Sequence, residues 1–253
     1  MPSAARATEP TGRNRVLHRR IEAMSRLRLG VLISGRGSNL GALLAACADA
    51  AYPAEIVSVV SDRSEAPGLA FAQSSGIPCT VIPDRDRRGF AARAEAVLCE
   101  QQVELVCLAG FMHVLDAAFV EAWRDRMVNI HPSLLPAFPG LHPQRQALAA
   151  GVRFTGCTVH FVRPEVDAGP IIAQAVVPVL PDDDEASLSA RILAVEHRLY
   201  PLTVRLIAEG RVRVVASKAE IKGWRAPELA VLNPREPPRE PSASGWSRAP
   251  LGV

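Results

Sequence analysis

The sequence predicts an α/β fold, a mostly parallel sheet with helices on both faces. Three observations carry that prediction. Short, apolar, β-branched runs alternate with alanine-rich stretches of helical length. A glycine-rich turn, SGRGSNL, follows the first run and opens the first helical stretch. The chain of 253 residues is 48% hydrophobic, which suits one ordinary domain, or at most two small ones.

In chain order, strands are expected at residues 27–34 (LRLGVLIS), 55–61 (EIVSVVS), 79–82, 105–109 and Met127–His131. Helices are expected between them at 39–49, 68–75, 89–100 and 116–124. Strand-helix-strand repetition of this kind calls for a parallel sheet, because each crossover lays a helix on a sheet face. Beyond Pro143 come a short helix near 144–150 and strands near 156–161 and 171–179. A longer helix at 187–209 follows the acidic run 182–185, which suits the positive end of a helix dipole. No internal repeat is visible.

The ends differ from the body. Residues 1–24 are expected to be a disordered extension, with translation from Met24 as an alternative, and 25–225 to be the folded domain. Residues 226–253 contain six prolines and bury too little apolar surface to offset chain entropy, so a disordered tail is expected. The net charge is +3, and Arg6, Arg13, Arg15, Arg19 and Arg20 against Glu9 and Glu22 account for all of it. The body is therefore formally neutral, and a nucleic-acid partner is not implied. No apolar run reaches the roughly 18 residues that a bilayer requires, so no membrane partner is expected. Five cysteines without a CxxC pair read as reduced thiols of a cytoplasmic protein. The histidines have no zinc-ligand spacing, so no metal is expected.

Three places carry candidate chemistry. In the glycine-rich turn, Gly35, Arg36, Gly37, Ser38 and Asn39 stand where free helix N–H groups bind an anion, usually phosphate. A third glycine is missing at Leu40, so the dinucleotide fingerprint is not met. The alternative is a tight turn capped by Ser38 or Asn39 with no ligand. Arg87 and Arg88 read either as added charge for the phosphate or as a solvated run.

The second place is NIHPSLLPAFPGLH. Asn129 and His131 are two apart in a strand and so project to one side. Ligands of open α/β sheets bind beyond strand carboxyl ends. Prolines 132, 136 and 139 stiffen the exit. The pair reads as preorganised for a developing oxyanion, or as a capped strand end. The third place is PEVDAGPII, where Asp167 reads as a carboxylate that orients His131 or as a turn aspartate. His160, in GCTVHFV, is expected to alternate inward or outward with Thr158, and a core histidine is its first reading.

Taken together, VLISGRGSNL, LAGFM, NIHPSLLPAFPGLH, GCTVHFV, DAGPIIAQ and EHRLYP resemble the phosphoribosylglycinamide formyltransferase family, over about residues 27–215. The resemblance implies a Rossmann-like formyltransferase fold. It also implies transfer of a formyl group from 10-formyltetrahydrofolate to the amine of 5-phosphoribosylglycinamide in purine biosynthesis, without a metal. Asn129 and His131 would stabilise a tetrahedral oxyanion and Asp167 would assist proton transfer. Residues 35–39 and Arg87 would meet the substrate phosphate, and Glu196 of EHRLYP would hold the glycinamide. Phe111, Met112, His113, Val114 and Leu115, with His160 and backbone near 163–167, would meet the folate. The partners implied are these small molecules, with a monomer or homodimer. The sequence departs from the family's usual Phe-Met-Arg at His113, from its threonine at Pro143 and from its asparagine at Asp62. Its competitors are a formyltetrahydrofolate deformylase, a methionyl-tRNA formyltransferase, a nucleotide-binding oxidoreductase and an inactive binding module.

Overall fold

A computed structural model describes residues 26–83, 87–225 and 231–233, without the side chains of 87 and 88. The expected N-terminal extension lies outside the described residues, as does the proposed tail apart from 231–233. The elements run β1 (Leu27–Ile33), α1 (Ser38–Cys47), β2 (Ala54–Ser61), α2 (Gly68–Ser74), β3 (Cys79–Val81), α3 (Arg87–Glu100) and β4 (Leu105–Leu108). They continue with α4 (Ala117–Ala122), β5 (Met127–His131), α5 (Pro143–Ala149), β6 (Phe154–Phe161), β7 (Ile171–Pro178), α6 (Glu185–Ala208), β8 (Val212–Val215) and β9 (Lys218–Ile221).

Seven strands form one sheet in the order β3-β2-β1-β4-β5-β6-β7. The first five are mutually parallel, and β6 and β7 turn antiparallel at one edge. The sheet is buried on both faces, so successive β1 side chains enter different cores. Leu29, Val31 and Ile33 pack with α1, α2 and α6 residues such as Leu40, Leu69 and Ile192. Leu32 packs on the other side with Phe90, Leu98 and Phe119. That explains why β1 is buried on both faces from Leu29 to Ile33 instead of alternating apolar and polar.

The order of strand addition reverses between β1 and β4, with β2 and β3 added toward one edge and β4 to β7 toward the other. In open α/β sheets the loops diverge at such a point and leave a crevice at the strand carboxyl ends. Two hydrogen bonds knit its walls: Ser34 N donates to Gly110 O at 3.3 Å, and Met112 N donates to Ser34 Oγ at 2.9 Å.

The acidic run does start the long helix. Asp184 accepts from Ser187 N at 2.8 Å while its own N–H donates to Ser187 Oγ at 3.0 Å, a capping box. The hairpin β8–β9 is absent from the sequence reading. Its turn residues, Ala216 and Ser217, have φ 46° and 65° and lack the Asn-Gly signature of such turns. Among the described residues no helix is long and apolar enough to cross a membrane.

Candidate active site

β5 ends at the crevice, and its alternation sends Asn129 and His131 to one face, as the sequence requires. The antiparallel pairing with β6 sets His160 opposite Asn129 and Thr158 opposite His131. Thr158 and His160 therefore share a face instead of alternating, since they are two residues apart on one strand. All four side chains converge, and the loop from β6 to β7 adds Asp167.

Hydrogen-bond roles follow from the acceptors. His131 Nε2 lies 2.9 Å from the Phe138 carbonyl, which only accepts, so that nitrogen carries a hydrogen. The ring then turns Nδ1 to Asp167 Oδ2, at 3.3 Å. His160 Nδ1 likewise donates to Phe161 O at 3.0 Å. Its Nε2 accepts from Asn129 Nδ2 at 3.3 Å and stands 3.7 Å from Asp167 Oδ1. One N–H of the Asn129 amide is thus engaged, leaving a second to donate. Asp167 Oδ2 also accepts from Gly140 N at 2.8 Å. Burial pushes the Asp167 carboxyl up, but the proximity of His160, the hydrogen bond from the Gly140 amide and the proximity of His131 outweigh burial. The net effect holds it below the ordinary carboxylate range.

The backbone around this group is held in unusual conformations. Asp167 has φ 54° and Phe138 φ 56°, left-handed values that L side chains rarely adopt. Each costs about 1–3 kcal/mol and persists only where surroundings over-determine it. The surroundings are visible. Thr158 Oγ1 donates to Ser133 O at 2.7 Å and accepts from Leu135 N at 3.0 Å. Gln174, on β7, donates to Leu135 O at 2.9 Å and to Thr158 Oγ1 at 3.0 Å. Ser133 Oγ donates to Ala137 O at 2.6 Å. The proline-rich loop is thereby pinned to β6 and β7, and it presents Phe138 O and Gly140 N–H to the histidine and the aspartate. On the β6–β7 side, Gly169 lies so close to Phe161 O that a Cβ would stand 1.7 Å from it.

Across the crevice, α1 begins at the glycine-rich turn. Its N-cap, Gly37, has φ 74° and no side chain caps the helix. The first-turn N–H groups thus have no intrahelical partner and face outward as donors. Gly37 is seated on Gly68, the first residue of α2: a Cβ at 37 would meet Gly68 Cα at 2.5 Å, and Gly68 N donates to Gly35 O at 3.0 Å. Arg36 is exposed and Ser38 half-buried. The Asn39 side chain runs inward instead, donating from Nδ2 to Glu196 Oε2 at 2.8 Å. Asn39 Oδ1 is buried with no hydrogen-bond partner, a penalty of about 1–3 kcal/mol. Burial pushes the Glu196 carboxyl above its ordinary value, against the opposing hydrogen bond from Asn39.

Of the sequence candidates, the structure brings Asn129, His131, Asp167 and His160 into one group, and Asn39 and Glu196 into another. Phe111 is buried in the core with its ring 5.4 Å from Phe90. His113 packs 5.1 Å from the same ring. Met112 and Val114 are exposed, and Leu115 is half-buried. The Arg87 side chain lies outside the described residues. The sequence reading missed Ser34, Gly68, Thr158 as a loop anchor, and Gln174. A signal existed for Gln174, the one amide in the apolar strand IIAQAVVP. None existed for the Phe138 carbonyl and the Gly140 N–H, which every residue type carries.

A family model described as formyl transferase matches residues 27–204. A trifunctional purine biosynthetic protein adenosine-3 of Drosophila melanogaster is 51% identical over 190 residues, 73% of this chain. The matched part is only 14% of that protein, so this chain spans about a seventh of its length. A phosphoribosylglycinamide formyltransferase of Escherichia coli (strain K12) is 41% identical over 200 residues, covering 78% of this chain and 94% of the relative. Among solved structures, glycinamide ribonucleotide transformylase 1 from Symbiobacterium toebii superposes with a TM-score of 0.76 at 47% identity, over 78% of this chain and 94% of that one. The shared seven-stranded architecture and the match over most of the sheet lead to one conclusion: the chain belongs to the formyl transferase family.

Proposed function

We propose that this chain transfers the formyl group of 10-formyltetrahydrofolate to the amine of 5-phosphoribosylglycinamide. The observation that carries the reading is the convergence of Asn129, His131 and Asp167 at the β5 end, across a crevice from an uncapped helix start. The helix-start amides of residues 38–40 suit the substrate phosphate, with Gly35 to Gly37 shaping the turn. Arg87 adds charge there, and Glu196 holds the ribosyl-glycinamide part.

Exposed apolar side chains on the loops that carry or follow this group suit a flat aromatic co-substrate. Met112 and Val114 follow β4, Leu141 adjoins Gly140 and Val166 adjoins Asp167, all 48% exposed or more. The folate supplies an activated formyl carbon. Asn129 donates its second N–H to the formyl oxygen as negative charge grows on it. His131, with Nε2 committed to Phe138 O, works through Nδ1. A proton on that nitrogen is shared with Asp167, and the resulting imidazolium stabilises the growing charge electrostatically. Asp167, fixed by Gly140 N–H and His131, helps move the proton from the attacking amine to the leaving nitrogen. His160 accepts from the Asn129 amide and so sets which way that amide points. An amine is already nucleophilic, so no covalent enzyme intermediate is called for.

The experiment mixes the protein with 10-formyltetrahydrofolate and follows folate release with and without 5-phosphoribosylglycinamide. Amine-dependent release is expected. Release into water at the same rate without the amine replaces the reading with a hydrolase.

A further inference from the structure

Asn39 belongs to two things at once. Its backbone N–H is the second of the uncapped helix start, while its side chain reaches across 157 positions of sequence to Glu196. Both residues are more than nine-tenths buried, at 7% and 5% exposure. The Nδ2 end of the amide is paired at 2.8 Å and the Oδ1 end has no partner. A contact that served packing alone would satisfy both ends, because a half-satisfied buried amide is unfavourable. Such breaches of local rules are tolerated where a functional geometry sets the conformation.

The charge arrangement supplies that requirement. An anion at the helix start and the Glu196 carboxylate would repel one another across a poorly screened crevice. An amide with its N–H2 end toward the carboxylate fixes the carboxylate's direction and sets a neutral group between two negative ones. Aspartate there would place carboxylate against carboxylate, and an apolar side chain would leave Glu196 buried without a donor.

We propose that Asn39 is a positioning residue that separates the phosphate site from Glu196, aiming that carboxylate at the hydroxyl or amine donors of the same substrate. The proposal rests on the reading of the helix start as the phosphate site and of Glu196 as a substrate contact. It makes the site selective for molecules that carry an anion and hydrogen-bond donors on one small frame. The phosphate ligation is then left to backbone N–H groups, and the Asn39 side chain serves the carboxylate.

Asn39→Asp, Glu196→Gln and the exchange Asn39→Asp with Glu196→Gln test this. The exchange restores an amide–carboxylate hydrogen bond but moves the negative charge onto the phosphate loop. Three quantities are read: thermal unfolding, inorganic phosphate affinity by titration, and KM against kcat for 5-phosphoribosylglycinamide. Asn39→Asp is expected to lower stability and to weaken phosphate binding roughly tenfold or more, with relief as pH falls and one carboxylate takes a proton. The exchange variant is expected to regain stability while phosphate affinity and KM stay impaired by roughly tenfold, with kcat largely kept. Recovery of stability, phosphate affinity and KM together in the exchange variant overturns the proposal, since Asn39 would then be an interchangeable packing partner. Should Asn39→Asp alone not fold, the exchange variant still decides. The phosphate titration keeps the outcome separate from the formyl-transfer reading, because it needs no turnover.

Discussion

In the proposed reaction the two sides of the crevice solve the same problem, holding negative charge, with different materials. At the α1 start the donors are backbone N–H groups, and glycines make the arrangement possible: Gly37 and Gly68 pack Cα to Cα. At the β5 end the donors are side chains of Asn129 and His131, set by strand alternation and by a pairing register that brings His160 opposite Asn129. A permanent phosphate charge needs only fixed dipoles, which the backbone supplies. In the proposed reaction, the charge that appears on a carbonyl oxygen is accompanied by the transfer of a proton, which backbone amides do not carry out. Changes on the side-chain side should therefore fall on turnover, and changes on the backbone side on affinity for the phosphorylated substrate.

Removing a side-chain donor is the most direct way to break that contrast. Asn129→Ala and His131→Ala should each lower kcat by about 100- to 1,000-fold, the range for one oxyanion donor, with modest change in KM. Steady-state kinetics on both purified variants check this, and near-normal turnover in both removes the mechanism. Asp167→Asn comes next, with kcat lower by about 100-fold and substrate affinity largely kept. It also has a stability signature. The folded-state carboxyl is held below its ordinary value, so its contribution is present above the ordinary carboxylate range and fades as pH falls through the depressed value. Urea unfolding from pH 7 downward should show a shallower acid loss in Asp167→Asn than in the parent chain.

Effects on the backbone side should be smaller and of another kind. A Cβ at Gly68 would stand 2.9 Å from Gly37 Cα and 3.0 Å from Gly35 O. Displacing that turn costs about 1–3 kcal/mol. Gly68→Ala should therefore raise KM for the phosphorylated substrate by roughly tenfold while leaving kcat nearly intact. A kcat loss as large as that of Asn129→Ala would erase the distinction between the two sides. Glu196→Gln gives the mildest signal. Burial raises the folded-state carboxyl, so its stability contribution is full below the ordinary glutamate range and is lost as pH rises through the raised value. The amide variant should be at least as stable as the parent at pH 8, with the difference closing toward pH 4, while binding substrate less well.

Legibility in the sequence tracked how local each determinant is. The five parallel strands were read within two residues of their ends, because β-branched apolar runs report burial on both faces directly. Asn129 and His131 were legible as a pair from a spacing of two on one strand. Asp167 and His160 were legible as residues of interest, yet their meeting depends on β6 pairing antiparallel with β5, which no short motif states. Asn39 was legible as part of the helix-start turn, whereas the partner of its side chain, Glu196, is set by how α6 lies on α1. The hairpin β8–β9 was missed because Ala216 and Ser217 adopt left-handed backbone without the residues that usually signal it.

By itself, then, the sequence determined the alternation of strands and helices, the apolar faces that bury them, and the glycine turn that leaves a helix start uncapped. These follow from steric and hydrophobic preferences acting over a few neighbouring residues. Tertiary structure alone decided that the Phe138 carbonyl fixes which nitrogen of His131 faces Asp167, that Gly140 N–H and two histidines surround Asp167, and that Asn39 faces Glu196. Backbone donors and acceptors are the same in every residue. What distinguishes one from another is where packing of distant segments brings it, and that depends on the register of strands and the seating of helices across the whole sheet.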